Sequence, residues 1–152
     1  FCAFLDDRGV RLVAAEAAGN EEGRSDSLSS GRPGIFHGAR TVLLQTAGGQ
    51  VEPAHSVAPG LDYPAVGPEL SAWRDAGRIE VAAVCDAEAL EAARLLARVE
   101  GILPALESAH AVAAGLRDAA AGRLPAGPVL LNLSGRGDKD LAVLENEGGE
   151  VR

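Results

Sequence analysis

The chain has 152 residues, 47% hydrophobic and 24% charged, the composition of one soluble globular domain with a real core. A formal net charge of −8, from 22 acidic against 14 basic residues with no Lys/Arg cluster, argues against a nucleic-acid partner, because phosphate binding needs a concentrated basic surface. Cys2 and Cys85 are too few and too far apart for a disulfide framework, and no Cys/His grouping has zinc spacing. With no signal peptide and no apolar stretch of membrane length, a reducing, cytoplasmic setting without a membrane partner is expected.

The sequence opens at Phe1 and contains no methionine, so it reads as a piece of a longer unit, with residues 1–5 as the tail of a helix closed by Gly9. Residues 10–16, β-branched and aliphatic between glycines, predict a buried strand. Residues 19–34 carry Gly, Ser and charge without a period and predict a loop, functional or mobile. Residues 41–46 and 50–52, separated by Ala47-Gly48-Gly49, predict a small hairpin. Two prolines and two glycines forbid regular structure over 60–68, which predicts a rigid, shaped loop. A short helix over 69–75 and a buried strand over 79–84 follow. Asp86 then caps a helix with Glu88 and Glu91 near its positive end, Arg94 and Arg98 near its negative end, and Leu90, Ala93 and Ala97 on one face. After Pro104 an Ala-rich helix spans 106–121 and stops at Gly122. The unbroken apolar run 128–133 predicts a strand buried on both faces, and a final helix begins near Asp140. Strand, helix, helix, strand with short loops predicts an α/β fold, a parallel sheet with helices on its faces. The acidic stretch 145–152 reads as a flexible tail and the whole of 1–152 as one segment.

Candidate chemistry concentrates where the run 128–133 stops in Ser134-Gly135-Arg136-Gly137-Asp138-Lys139-Asp140, since ligands sit beyond the carboxyl ends of parallel strands. Gly135 and Gly137 allow close backbone approach and Ser134 offers a hydroxyl; the bland alternative is a turn in which Ser134 or Asp138 caps the next helix. Glu107 opens its helix with His110 on the same face, and either orients a ligand or merely complements the helix dipole while His110 packs in the core. Asp62 either pairs with a cation or substrate group or holds its own turn. His37 and His55 are lone histidines in loop-like surroundings, where solvated surface or local hydrogen bonding is expected of each, outside any recognisable triad or metal site.

Taken together, residues 101–111 (Gly-Ile-Leu-Pro-Ala-Leu-Glu-Ser-Ala-His-Ala), Gly60-Leu61-Asp62-Tyr63-Pro64, Val66-Gly67-Pro68 and residues 132–140 resemble the beta chain of tryptophan synthase. Gly31-Arg32-Pro33-Gly34-Ile35-Phe36-His37-Gly38 and Leu44-Gln45-Thr46 fit the same family in the same order. The resemblance implies a carboxyl-terminal segment of a fold type II, three-layer (αβα) pyridoxal-phosphate enzyme that joins L-serine and indole into L-tryptophan by β-replacement, as a beta homodimer flanked by alpha chains. By that resemblance Ser134 bonds the pyridine nitrogen of pyridoxal 5'-phosphate, Gly135 supports the ring, Glu107 lies beside it, and Asp62 meets the region of the serine hydroxyl. The backbone carbonyls of Gly60, Tyr63 and Ala65 match a monovalent-cation (K or Na) site, and Phe36 and His37 match positions lining the indole tunnel. The sequence departs from the family at Ala58-Pro59, at Leu70 and at Gly19-Asn20-Glu21, which touches loop geometry and cation affinity.

The family's cofactor-bearing lysine, glycine-rich phosphate loop, catalytic general-base glutamate and mobile communication domain would all precede Phe1, in a missing amino-terminal part of the beta chain. Lys139, the one lysine, matches a position that does not bind the cofactor covalently, so the segment alone is expected to be inactive. Two alternatives stand beside this reading. One is another β-replacement enzyme, similar to cysteine or threonine synthase; the other is a split or degenerate module that serves only to interact.

Overall fold

The structure, a computed structural model, describes residues 1–146, and its organising pair is parallel. Strand β1 (Val13–Gly19) lies beside β4 (Glu80–Cys85), in register from Val13 against Glu80 to Ala17 against Val84, with a slip before Gly19 meets Cys85. Parallel neighbours cannot be joined by a tight turn, so the chain between them is one long crossover. It holds α1 (Ser27–Ser30), the antiparallel hairpin β2 (Arg32–Phe36) and β3 (Ala39–Leu43), and α2 (Pro68–Asp75). After β4 come α3 (Asp86–Glu100) and α4 (Leu106–Ala120), which pack on each other and on both parallel strands. The α/β class with parallel strands is the architecture observed. Its core gathers Ala58, Val84, Ala89, Ala93, Leu106 and Ala109, all fully buried, and the alanines let the two helices approach closely.

Several elements differ from the sequence expectation for local reasons. Strand β1 runs three residues later than 10–16, because Arg78 binds the backbone before it: its guanidinium donates to the carbonyls of Phe4, Leu5, Asp7 and Val10. Residues 1–5 supply only a 3-10 turn, Cys2–Phe4. The expected loop over 19–34 contains α1 and the start of β2. Helix α1 exists because the buried carboxylate of Glu16 accepts the N–H groups of Leu28 and Ser29, both at 2.8 Å. The main hairpin is β2–β3, turned at His37 (φ 48°) and Gly38 (φ 78°), the paired positive φ of a type I′ turn. The hairpin expected around Ala47-Gly48-Gly49 survives only as a bridge between Gln45 and Val51.

Asp86 does not cap α3. Cys85 is the N-cap, and its N–H donates to Glu88 Oε2 at 3.0 Å, while Asp86 turns inward and accepts the N–H of Val57 at 3.1 Å. The largest correction concerns 128–133, which forms no strand. Val129, Leu130, Leu131 and Leu133 are exposed, Leu130 by 74%, because no strand among the described residues lies alongside to complete their hydrogen bonding. The chain ends its description in a 3-10 turn, Gly137–Asp140, and α5 (Leu141–Asn146). The start of the expected tail, Glu145 and Asn146, is therefore helical, and its remainder, 147–152, lies outside the described residues. Among those residues no helix is long and apolar enough to cross a membrane.

Candidate functional site

The first turn of α4 is where the sequence candidates meet. Pro104 fixes the approach, and Ala105, at the N-cap, has no side-chain acceptor, so the cap comes from elsewhere: Asp140, 2% exposed, accepts the N–H of Leu106 through Oδ2 at 2.9 Å. Glu107, next in the chain, has both oxygens engaged. Its Oε1 accepts the N–H of Gly60 at 2.8 Å, and its Oε2 accepts Lys139 Nζ at 2.8 Å. Burial pushes the Glu107 carboxyl upward, but the Lys139 ammonium and the Gly60 N–H outweigh it and hold the group below the usual carboxylate range. Lys139 is in turn raised, its partial burial outweighed by bonds to Asp140 and Glu107. A Cβ on Gly60 would stand 2.7 Å from Glu107 Oε1, so any side chain there would push the carboxylate off its bond to the Gly60 N–H.

The loop bearing Ser134 lies against the same helix start. Ser108 Oγ donates to the Ser134 carbonyl, and Gly137 N–H donates to Leu103 O at 3.2 Å. Gly135 takes φ 82°, which an L side chain rarely adopts. Neither Ser134 nor Asp138 caps a helix: the 3-10 turn starts from Arg136 without a side-chain cap. The Ser134 side chain is exposed, and its hydroxyl has no partner among the described residues, so it is free to meet a ligand. A neutral hydroxyl, a close-fitting glycine backbone and a nearby ionised carboxylate fit the ring end of a pyridoxal group. The described residues offer no unengaged lysine, the one lysine being bound by Glu107 and Asp140.

Farther along the crossover, Asp62 is exposed and makes no side-chain hydrogen bond among the described residues, while its N–H is tied to Ala58 O at 3.1 Å. Ser25 Oγ donates to the carbonyls of Leu61 and Tyr63 and stiffens the loop. Of the carbonyls expected to meet a cation, those of Gly60 and Ala65 accept no hydrogen bond among the described residues. His37 is hydrogen-bonded, one of the two roles expected of it: its ring stacks on Phe36 with centroids 4.2 Å apart, and its Nδ1 shares a hydrogen bond with Tyr63 OH at 2.7 Å. Phe36 meets Tyr63 edge-on at 5.5 Å, which completes an aromatic trio at the hairpin tip. His55 has partners as well, with Asn20 Nδ2 donating to its Nε2 at 2.9 Å and Asp86 Oδ2 3.7 Å away. His110 takes the bland role. It is fully buried, its Nδ1 donates to Leu106 O at 2.7 Å, and burial lowers its pKa so that the ring stays neutral in the core.

Asp140 and the ion pair of Lys139 are the site members the sequence reading missed. The signal was present, since an acid beside the chain's one lysine in a glycine-punctuated loop is a ready-made bridge, but which helix start it would reach is a tertiary fact.

The pyridoxal-phosphate dependent enzyme family matches residues 4–135, and the chain belongs to that family. Within it, the chain is similar to tryptophan synthase beta chains. It is 51% identical to that of Leptothrix cholodnii over 98% of this chain and 35% of the relative, and 56% identical to that of Mycobacterium leprae over 93% and 34%. The chain thus spans about a third of the length of the curated relatives it matches. Among solved structures, maize serine racemase shares the fold with a TM-score of 0.51, at 20% identity over 80% of this chain and 33% of that one.

Proposed function

We propose that this chain supplies the ring-facing part of a pyridoxal phosphate site that joins L-serine and indole into L-tryptophan, as in the tryptophan synthase beta chain. The observation that carries the reading is the convergence of Glu107, the Gly60 backbone and the Ser134 loop on the first turn of α4. When bound, the cofactor supplies an electron sink at the substrate's α-carbon. The Ser134 hydroxyl would hold the pyridine nitrogen without keeping it protonated as an aspartate would, and Gly135 would back the ring. Glu107, ionised and engaged by two donors, serves as a fixed acceptor and orienting group rather than a proton source. Exposed Asp62 would receive the serine hydroxyl and help shut water out.

The Phe36 and His37 rings would line the path of indole. The carbonyls of Gly60, Tyr63 and Ala65 would hold a monovalent cation, a hard ion suited to backbone oxygens. The partners we infer are the amino-terminal part of a beta chain, a second beta chain in a homodimer and an alpha chain, in the cytoplasm. Residues 1–152 act in this reading as one segment.

Because Lys139 is bound by two carboxylates, the segment alone is expected to be inactive. Mixing it with the amino-terminal part of a beta chain tests this: turnover of serine and indole only in the mixture supports the reading, and turnover by the segment alone overturns the inactivity. The exposed run Val129 to Leu133 favours a second reading, an interaction module, and binding of that amino-terminal part with no turnover under any condition would support it.

A further inference from the structure

Lys139 joins groups from three separate segments. Its ammonium donates to Glu107 Oε2 at 2.8 Å and to both oxygens of Asp140 at 2.8 and 2.9 Å. Glu107 Oε1 accepts the N–H of Gly60, and Asp140 Oδ2 accepts the N–H of Leu106. The bridge therefore runs from the Gly60 loop through the first turn of α4 to the loop that carries Ser134. Two carboxylates face one cation here, and Asp140 is buried while Glu107 is three-quarters buried. Without the lysine the two acids repel across a poorly solvated gap, and Asp140 cannot yield because it also caps α4. Glu107 is the partner that must swing, and swinging takes it off Gly60.

We propose that Lys139 is a positioning residue acting through Glu107: from the loop bearing Ser134 it fixes the orientation of that carboxylate, and so makes the Ser134 loop and the Gly60–Asp62 loop move as one unit. The assignment of a cofactor to these loops rests on the reading above; the bridge itself does not. In functional terms, whatever stiffens or displaces the Ser134 loop is felt at Asp62, on the far side of Glu107, without any change in the helices beneath.

The test is amide hydrogen exchange by NMR on the whole chain without cofactor, comparing wild type, Lys139→Met and Lys139→Arg. In the Met variant the Gly60 amide should exchange about tenfold faster or more, the loss of one charge-assisted hydrogen bond, while Ala113 in α4 keeps its protection. Arginine carries the same charge and can span both acids, so it should return Gly60 to within a few fold of wild type, which a merely structural role for the lysine stem would not do. Unchanged Gly60 protection in the Met variant, or an Arg variant as impaired as the Met variant, overturns the proposal. Should the Met variant unfold, Glu107→Gln decides. It keeps an acceptor for Gly60 but removes the charge gripped by Lys139, and the Gly137 amide should then exchange several-fold faster, whereas unchanged Gly137 protection overturns the coupling. A parallel titration with pyridoxal phosphate of the wild-type chain mixed with the amino-terminal part of a beta chain separates the two readings, since failure of the mixture to bind counts against the proposed function and leaves the exchange result standing.

Discussion

Two apolar regions of this molecule meet opposite fates. The buried faces of α3 and α4 find each other and the β1–β4 pair, and Leu106 and Ala109 are lost to solvent entirely. The run Val129 to Leu133 is left outside, with Leu130 at 74% exposure. A helix satisfies its own backbone and needs only a surface to bury its stripe, which a neighbouring helix five residues further along the chain can supply. A strand needs a partner's N–H and C=O groups as well, and the described residues provide none for this run. Hydrophobicity read from sequence says that a segment must be covered; it does not say that the covering surface lies in the same chain.

Mutations can break or sharpen that contrast. Leu106→Ala should cost about 3 kcal/mol in urea denaturation, because it empties a fully enclosed site. A loss below about 1 kcal/mol there would show that the helical pair is no better packed than the exposed run. Asp140→Ala removes the cap of α4 and a ligand of Lys139 together, and about 2 kcal/mol should be lost in the same assay. Gly60→Ala should cost about 1 kcal/mol, the added methyl pushing Glu107 aside, with the change in amide shifts confined to residues near 60 and 107.

A smaller signal comes from pH. Burial raises the Glu16 carboxyl above its ordinary value, against its hydrogen bonds to Leu28 and Ser29, so the folded chain holds that proton more tightly than the unfolded one. Stability relative to Glu16→Gln should therefore rise as pH falls through the raised folded value toward the ordinary carboxylate value, and decline as pH climbs back. At the bottom of the scale, Leu130→Ser should change the stability of this chain by less than about 0.5 kcal/mol. The same substitution should weaken association measurably once a complementary chain covers the run.

What the sequence disclosed follows the same division. Helices α2, α3 and α4 and strand β4 stood within a residue or so of their expected places, because caps, dipole charges and glycine stops are local chemistry. Glu107, Gly60, Gly135 and Ser134 do come together, and that convergence was legible through linked motifs, not through any one spacing. The larger errors are tertiary. The buried Glu16 builds a short helix inside an apparent loop, Arg78 delays β1 by three residues, and Asp140 reaches across to cap a helix that begins 34 positions earlier. No local window of sequence holds both ends of the Arg78 and Asp140 contacts. The pairing of β2 with β3 was missed for a subtler reason: its turn is made by His37-Gly38, and histidine at positive φ carries a weaker signal than the Ala47-Gly48-Gly49 stretch nearby.

The hold of Arg78 on the first ten residues has one more consequence. One guanidinium gathers four carbonyls of that stretch, and the stretch has no buried residue in its 3-10 turn with which to hold itself. The start of the described chain is thus fastened as a rope is by a single cleat, set two residues before β4, and Arg78→Met should slacken the rope without loosening the deck.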